Sequence, residues 1–186
     1  MAVKKLEFKS GQFVVYPTQG VGKVLRVEEQ AISGQKIKLL VIEFERNKMV
    51  LRVPLERAEI SGLRPLVTQK KMGEALDNAK GRAGAKRLIW SRRAAVYEEN
   101  INSGDVMKIA EVVRDLQRRN ATDAMTFSAR GLYLRALERM AQEYAALYKL
   151  DLDTATEKIE NIIGVPKELN LNAADDDDEE SVDKKE

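Results

Sequence analysis

Between Asp77 and Glu98 the chain holds no acid and six cations: Lys80, Arg82, Lys86, Arg87, Arg92 and Arg93. An uncompensated basic interval attracts phosphates, and arginine can fork onto two phosphate oxygens at once. The only tryptophan, Trp90, lies inside it, in LIWSRR. A ring in a basic patch can wedge or stack against a base step, as minor-groove proteins do. The alternative for Trp90 is core packing, since tryptophan is usually largely buried; for the arginines it is a solvated helix face. A second basic feature is Arg52 in VLRVP. On a strand its side chain leaves the face opposite to Leu51 and Val53, either as plain surface or as an ion-pair anchor for a protein partner.

Other chemistry is narrowly bounded. The chain has no cysteine and no histidine, which excludes disulfides, thiol nucleophiles, Cys/His zinc sites and histidine acid–base catalysis. A carboxylate-only magnesium or calcium site stays open in principle, but no pair of acids stands out from those at helical spacings. TQGVGK and NAKGRAGAKR set glycines near lysines without matching a phosphate-binding GxxxxGK[ST] loop. An enzyme is the least favoured class, and no cofactor is expected.

Short strands and then helices must carry these residues. Gln12–Tyr16, Gly22–Glu29, Ile37–Phe44 and Met49–Val53 read as strands, interrupted by Pro17, the Gly20 and Gly22 turn, ISG at 32–34, the polar turn at 46–48 and Pro54. Four or five short strands in so few residues suggest a small barrel, which would also remove exposed edges. Beyond Gly62 the period is helical. Helices are expected at Met72–Lys80, Lys86–Ile101, from Ser103 as a cap to about Arg119, at Phe127–Tyr148 and at Ala155–Ile163. Thr154 and Glu157 would form a capping box for the last, with Gly164 and Pro166 ending it.

Charge is unevenly spread. The formal net charge is +2 overall, but residues 1–170 carry +8 and residues 171–186 carry −6. A basic body favours a polyanionic partner, and the acidic tail (AADDDDEESVDKKE) is too polar to pack and is expected to be disordered. No stretch approaches the ~20 apolar residues that span a bilayer, and MAVKKLEFKSGQF has no apolar core of a secretory signal. A cytoplasmic, nucleoid-associated monomer without membrane contact is the expectation.

The segments GQFVVYPTQGVGKVLRVEE, VLRVP, WSRR and SGDVMKIAEVVRDLQRR, in that order, resemble the CarD/CdnL family of bacterial transcription regulators over roughly residues 8–163. The first segment is also similar to the polymerase-binding domain of the transcription-repair coupling factor; WSRR followed by SGDV and VVRDL points to the stand-alone regulators. The resemblance implies an α+β protein: a Tudor-like β barrel at 1–62 that binds the RNA polymerase β subunit on its protrusion lobe, a compact helical DNA-binding domain at 63–170, and the disordered acidic tail at 171–186. It implies contact with promoter DNA just upstream of the −10 element, on holoenzyme with the housekeeping sigma factor, and a more stable open complex. By motif position, Arg52 would touch polymerase, with Val53 and Pro54 shaping the strand end. Trp90 would be the minor-groove wedge, Arg92 and Arg93 backbone contacts, and Lys86 and Arg87 further DNA contacts. Two positions depart from basic residues seen in some relatives: Gln30, on the polymerase side, and Ala95, after WSRR. The rival expectation is a nucleoid-associated DNA-binding protein without polymerase contact.

Overall fold

The computed structural model describes residues 8–32, 35–46, 48–58, 60–84, 89–117 and 125–165. Lys86, Arg87 and the tail at 171–186 lie outside them. Among these residues five strands come first: β1 (Phe13–Tyr16), β2 (Gly20–Ile32), β3 (Gln35–Phe44), β4 (Met49–Pro54) and β5 (Arg64–Pro65), with a 3-10 turn at Leu55–Arg57 between the last two. All ladders are antiparallel, in the order β4-β3-β2-β1-β5.

The expected Tudor-like barrel is not formed; the sheet is open. β4 and β5 are its outer strands, and no ladder joins them. Closure needs edge strands long enough to meet at a consistent stagger. β5 has two residues, pairing Val14 with Pro65 and Val15 with Arg64, and Pro65 has no N–H to give to a further strand. At the other edge Pro54 ends β4 and the chain turns into the 3-10 turn. A register shift between Val24 and Arg26 bends β2, so the sheet curls without sealing.

The curl encloses a small core of Val14, Val24, Leu40, Ile42, Phe44, Val53, Ala58 and Leu63. Gly22 permits it: a Cβ there would lie 2.7 Å from Ile42 Cγ2 and 2.8 Å from the Phe44 ring. Gly22→Ala is therefore expected to destabilise the protein by about 1–3 kcal/mol, because both neighbours are packed and cannot retreat; thermal unfolding would read the loss.

Among the described residues five helices follow: α1 (Gln69–Lys80), α2 (Trp90–Asn102), α3 (Val106–Leu116), α4 (Phe127–Tyr148) and α5 (Leu152–Ile163). They bury a second, larger core, including Met72, Tyr97, Val106, Val113, Leu137, Met140 and Ile159. The caps differ from the expectation at two places. Asp105, not Ser103, opens α3 by accepting from Met107 N at 3.0 Å. Ser103 instead donates to Asn100 O at 2.7 Å and closes α2. α5 starts one turn early because Asp151 accepts from Thr154 N at 2.8 Å; Gly164, at φ +79°, ends it as expected.

That backbone bond, with the Thr154 hydroxyl, holds the Asp151 carboxyl below the usual carboxylate range. A depressed carboxylate stabilises the fold above its unfolded pKa and loses that contribution as pH falls through its folded pKa. Asp151→Ala should lower the melting temperature at neutral pH and converge on the wild type in acid. Equal differences at both pH values would mean that the cap acts without its charge.

Candidate protein and nucleic-acid interfaces

β4 is an edge strand with a fixed orientation. It pairs with β3 alone, Val41 opposite Arg52, Leu40 opposite Val53 and Leu39 opposite Pro54. Val53 is buried in the sheet core and Leu51 packs against it from the rim. Alternation therefore turns Arg52 outward, with its side chain 56% exposed. Its Nε lies 3.6 Å from Glu28 Oε2. Glu28 is held more closely by Arg26, whose Nε donates to Oε1 at 2.7 Å. That bond, chiefly, holds the Glu28 carboxyl below its ordinary range, with the charges of Arg26 and Arg52 adding to it. One carboxylate shared by two guanidiniums leaves net positive charge on this face. Exposed pairs of this kind are weak, so Arg52 can leave Glu28 for a partner's acid at small cost. Among the described residues no strand pairs with the outer backbone edge of β4, which makes it a template for strand addition as well. Gln30, Lys36 and Lys48 are exposed on the same sheet unit.

The second surface sits at the start of α2. Trp90 is the first residue of the helix, half-buried against the helical core, and the Arg93 guanidinium carbon lies 5.3 Å from its ring centroid. The ring is thus partly packed and partly accessible, and a cation–π contact steadies it. Ile89, expected as an apolar position inside the helix, instead caps it and is 66% exposed. Arg92 is exposed; Arg93 is half-buried, and its Nε has no hydrogen-bond partner among the described residues. No acid stands in the first turn of α2, so the positive helix end and the arginines act in one direction. Arg82 is exposed, Lys80 pairs with Asp77 at 3.2 Å, and Ala95 is exposed on α2. Among the described residues no cluster of three or more His, Cys, Asp or Glu side chains could hold a metal ion, and no helix is long and apolar enough to cross a membrane.

Two further residues that the sequence did not single out join the sheet to the helices. Glu143 of α4 is a charged residue only 2% exposed. Arg64 of β5 meets it in a fork: Nη1 donates to Oε1 at 2.6 Å and Nη2 to Oε2 at 2.8 Å. The available signal was an acid beside Ala141, Tyr144 and Ala145 on a face that is otherwise apolar.

The chain is similar to known proteins along most of its length. Residues 8–67 match the family model of the CarD-like/TRCF RID domain, and residues 74–160 match that of the CarD C-terminal domain. YdeB of Bacillus subtilis (strain 168), described as a candidate transcription factor, is 26% identical over 136 residues, covering 73% of this chain and 89% of that protein. The solution structure of the 72-residue N-terminal domain of Myxococcus xanthus CarD shares 30% identity, covering 34% of this chain and 84% of that domain, with a TM-score of 0.29. With both domain models of one family matched in tandem, the protein belongs to the CarD/CdnL family, whose members are transcription regulators that bind RNA polymerase and are not enzymes.

Proposed function

We propose that this regulator binds the RNA polymerase β subunit through the edge of β4 and stabilises the promoter open complex by minor-groove contact from the start of α2, upstream of the −10 element. One observation carries the reading. A single chain joins an unpaired strand edge bearing an outward arginine to a helix start where Trp90, Arg92 and Arg93 stand free of acids.

In this reading Arg52 pairs with an acid of the β subunit. Val53, anchored in the sheet core, holds the strand in register so that Arg52 stays outward, and Pro54 ends it. Trp90 wedges at the upstream edge of the bubble, with Ile89 beside it as a second apolar contact. Arg92 and Arg93 take phosphates, joined by Lys86 and Arg87. Residues 1–62 act as the polymerase-interaction unit, 63–170 as the DNA unit and 171–186 as an acidic tail, in a cytoplasmic, nucleoid-associated monomer working with housekeeping sigma holoenzyme.

No bond is made or broken. The protein binds the open complex better than the closed one, and the open state accumulates by population shift. Differential binding of ~1–3 kcal/mol would slow bubble collapse about 5- to 150-fold if all of it fell on the closing rate. Tethering to polymerase raises the local concentration, so the helical unit need not bind free DNA tightly or read sequence.

The test is binding of the purified full chain to a β-subunit fragment, beside its effect on open-complex lifetime with housekeeping holoenzyme. Binding together with a longer lifetime supports the reading. No binding to the fragment by folded protein, with tight salt-dependent binding to free duplex, would favour a nucleoid protein without polymerase contact.

A further inference from the structure

The sheet and the helices keep separate apolar cores. What joins them is largely polar and directional. Arg64 of β5 forks onto Glu143 of α4, and its Nε and Nη2 also donate to Gly104 O, at 2.9 and 2.6 Å, in the turn between α2 and α3. Glu143 Oε1 accepts a further bond from Val67 N at 2.9 Å, in the connector that leads into α1. This ion pair, buried on the Glu143 side and partly open at Arg64, thus ties β5 and the connector after it to α4 and to the α2–α3 turn. Around it, Arg139 of α4 donates to Thr18 O, Arg46 pairs with Glu138, and Val21 N lies 3.5 Å from Gln142 Oε1. Gly104, at φ +70°, brings the α2–α3 turn against the β1–β2 turn; a Cβ there would be 3.0 Å from Pro17 Cα. Beside this polar joint the sheet and the α4–α5 corner stand apart around a groove of about 510 Å³, lined by Phe13, Val21, Ala146 and Leu152 among others. Apolar packing does not fill that gap, so the bonds of the joint and the Gly104–Pro17 contact bear on the relative angle of the two units.

We propose that Arg64 and Glu143 are positioning residues that fix the angle between the sheet and α2, so that a protein held by β4 presents Trp90 to DNA from one direction. The inference rests on the function proposed above. Its physical basis is leverage. Gly104 lies just past the C-terminal end of α2, while Trp90 is its first residue. A helix of this length is about 20 Å long, so a swing of ~10° at the Gly104 end displaces Trp90 by about 3 Å. A wedge that must enter one base step does not tolerate that shift. Charge-assisted, forked hydrogen bonds carry geometric specificity as well as energy, and here backbone groups meet the remaining bonding capacity of both partners.

The test uses the full chain with spin labels on cysteines at Lys38 of β3 and Glu99 of α2. Both sites are exposed, and the chain has no cysteine of its own. Pulsed electron resonance gives the distance distribution between them. It is measured for the unchanged joint, for Arg64→Lys, which keeps the charge and loses the fork, and for Arg64→Met with Glu143→Met, which removes the pair without stranding a buried charge. The same joint variants, unlabelled, are assayed for affinity to the β fragment and for open-complex lifetime.

The expected result is a single narrow distance with the joint intact, a broader or shifted one in both variants, β-fragment affinity within twofold, and open-complex lifetime shortened at least fivefold. Arg64→Lys, the milder change, decides if the double variant fails to fold by circular dichroism. An unchanged narrow distance, or a broadened distance with an unchanged lifetime, overturns the proposal. So does a loss of β-fragment affinity that accounts for the shorter lifetime, because Arg64 would then act at the interface itself. If the protein with its joint intact neither binds the β fragment nor lengthens the open complex, the functional reading fails in that measurement. The distance distribution still decides whether the joint fixes the angle.

Discussion

Arg52→Glu is expected to weaken binding to the polymerase β fragment by at least tenfold while leaving the fold intact. Arginines at the centre of protein interfaces commonly contribute about 2 kcal/mol or more, and each 1.4 kcal/mol is about tenfold in affinity. Reversal adds repulsion to the lost pairing, because the acid that would receive Arg52 then faces another acid. The fold should be indifferent, since Leu51 and Val53 hold β4 from the other face and Arg52 makes only a 3.6 Å exposed pair with Glu28. Exposed substitutions of this kind usually stay within about 0.5 kcal/mol. The introduced carboxylate would stand near Glu28, so Arg52→Gln serves as the milder control. Undiminished binding of folded Arg52→Glu would remove Arg52 from the interface. An unfolded variant, seen by circular dichroism, would say nothing about an interface.

Trp90→Ala should show the opposite division, with β-fragment affinity unchanged and open-complex lifetime shortened by about 5- to 50-fold, a large share of the differential binding that such a regulator can supply. Because Trp90 is half-buried against the helical core, its truncation also weakens that core, by about 1–3 kcal/mol, less than for a fully buried aromatic. The assay temperature must stay below the melting point of the variant. Trp90→Leu separates the two effects: it restores apolar packing without a flat ring to insert. A shortened lifetime in both variants supports the wedge, whereas rescue by leucine would assign Trp90 to packing. Unchanged lifetimes in both would leave Arg92, Arg93 and Ile89 to hold the DNA.

These outcomes bear differently on the joint. Arg52 variants change recruitment and Trp90 variants change the contact, but neither alters the angle between them. A protein that still binds polymerase, still carries its tryptophan and yet no longer prolongs the open complex would isolate the role of Arg64 and Glu143.

The sequence by itself determined what local information can determine. β-branched and aromatic runs bounded by turn residues located β1, β3 and β4, and apolar spacing located α4 from Phe127 to Tyr148 with both ends correct. Alternation around Leu51 and Val53 predicted the outward Arg52, but the helix expected from Lys86 begins only at Trp90, with Ile89 as its non-helical cap. Local competition between caps already escaped it: Ser103 and Asp105 are both able to open α3, and the choice fell to Asp105 because the Ser103 hydroxyl closes α2.

Only the tertiary structure decided three things. Whether the sheet closes depends on the length of its last strand and on where the chain goes after Pro54, and neither follows from strand propensity. The half-burial of Trp90 depends on helices that pack against α2 from elsewhere in the chain. The joint brings Arg64 to Gly104 and Glu143 across 40 and 79 residues. Periodicity and capping report on neighbours within a turn or a strand, whereas closure, burial and long-range ion pairs are set by how finished elements meet.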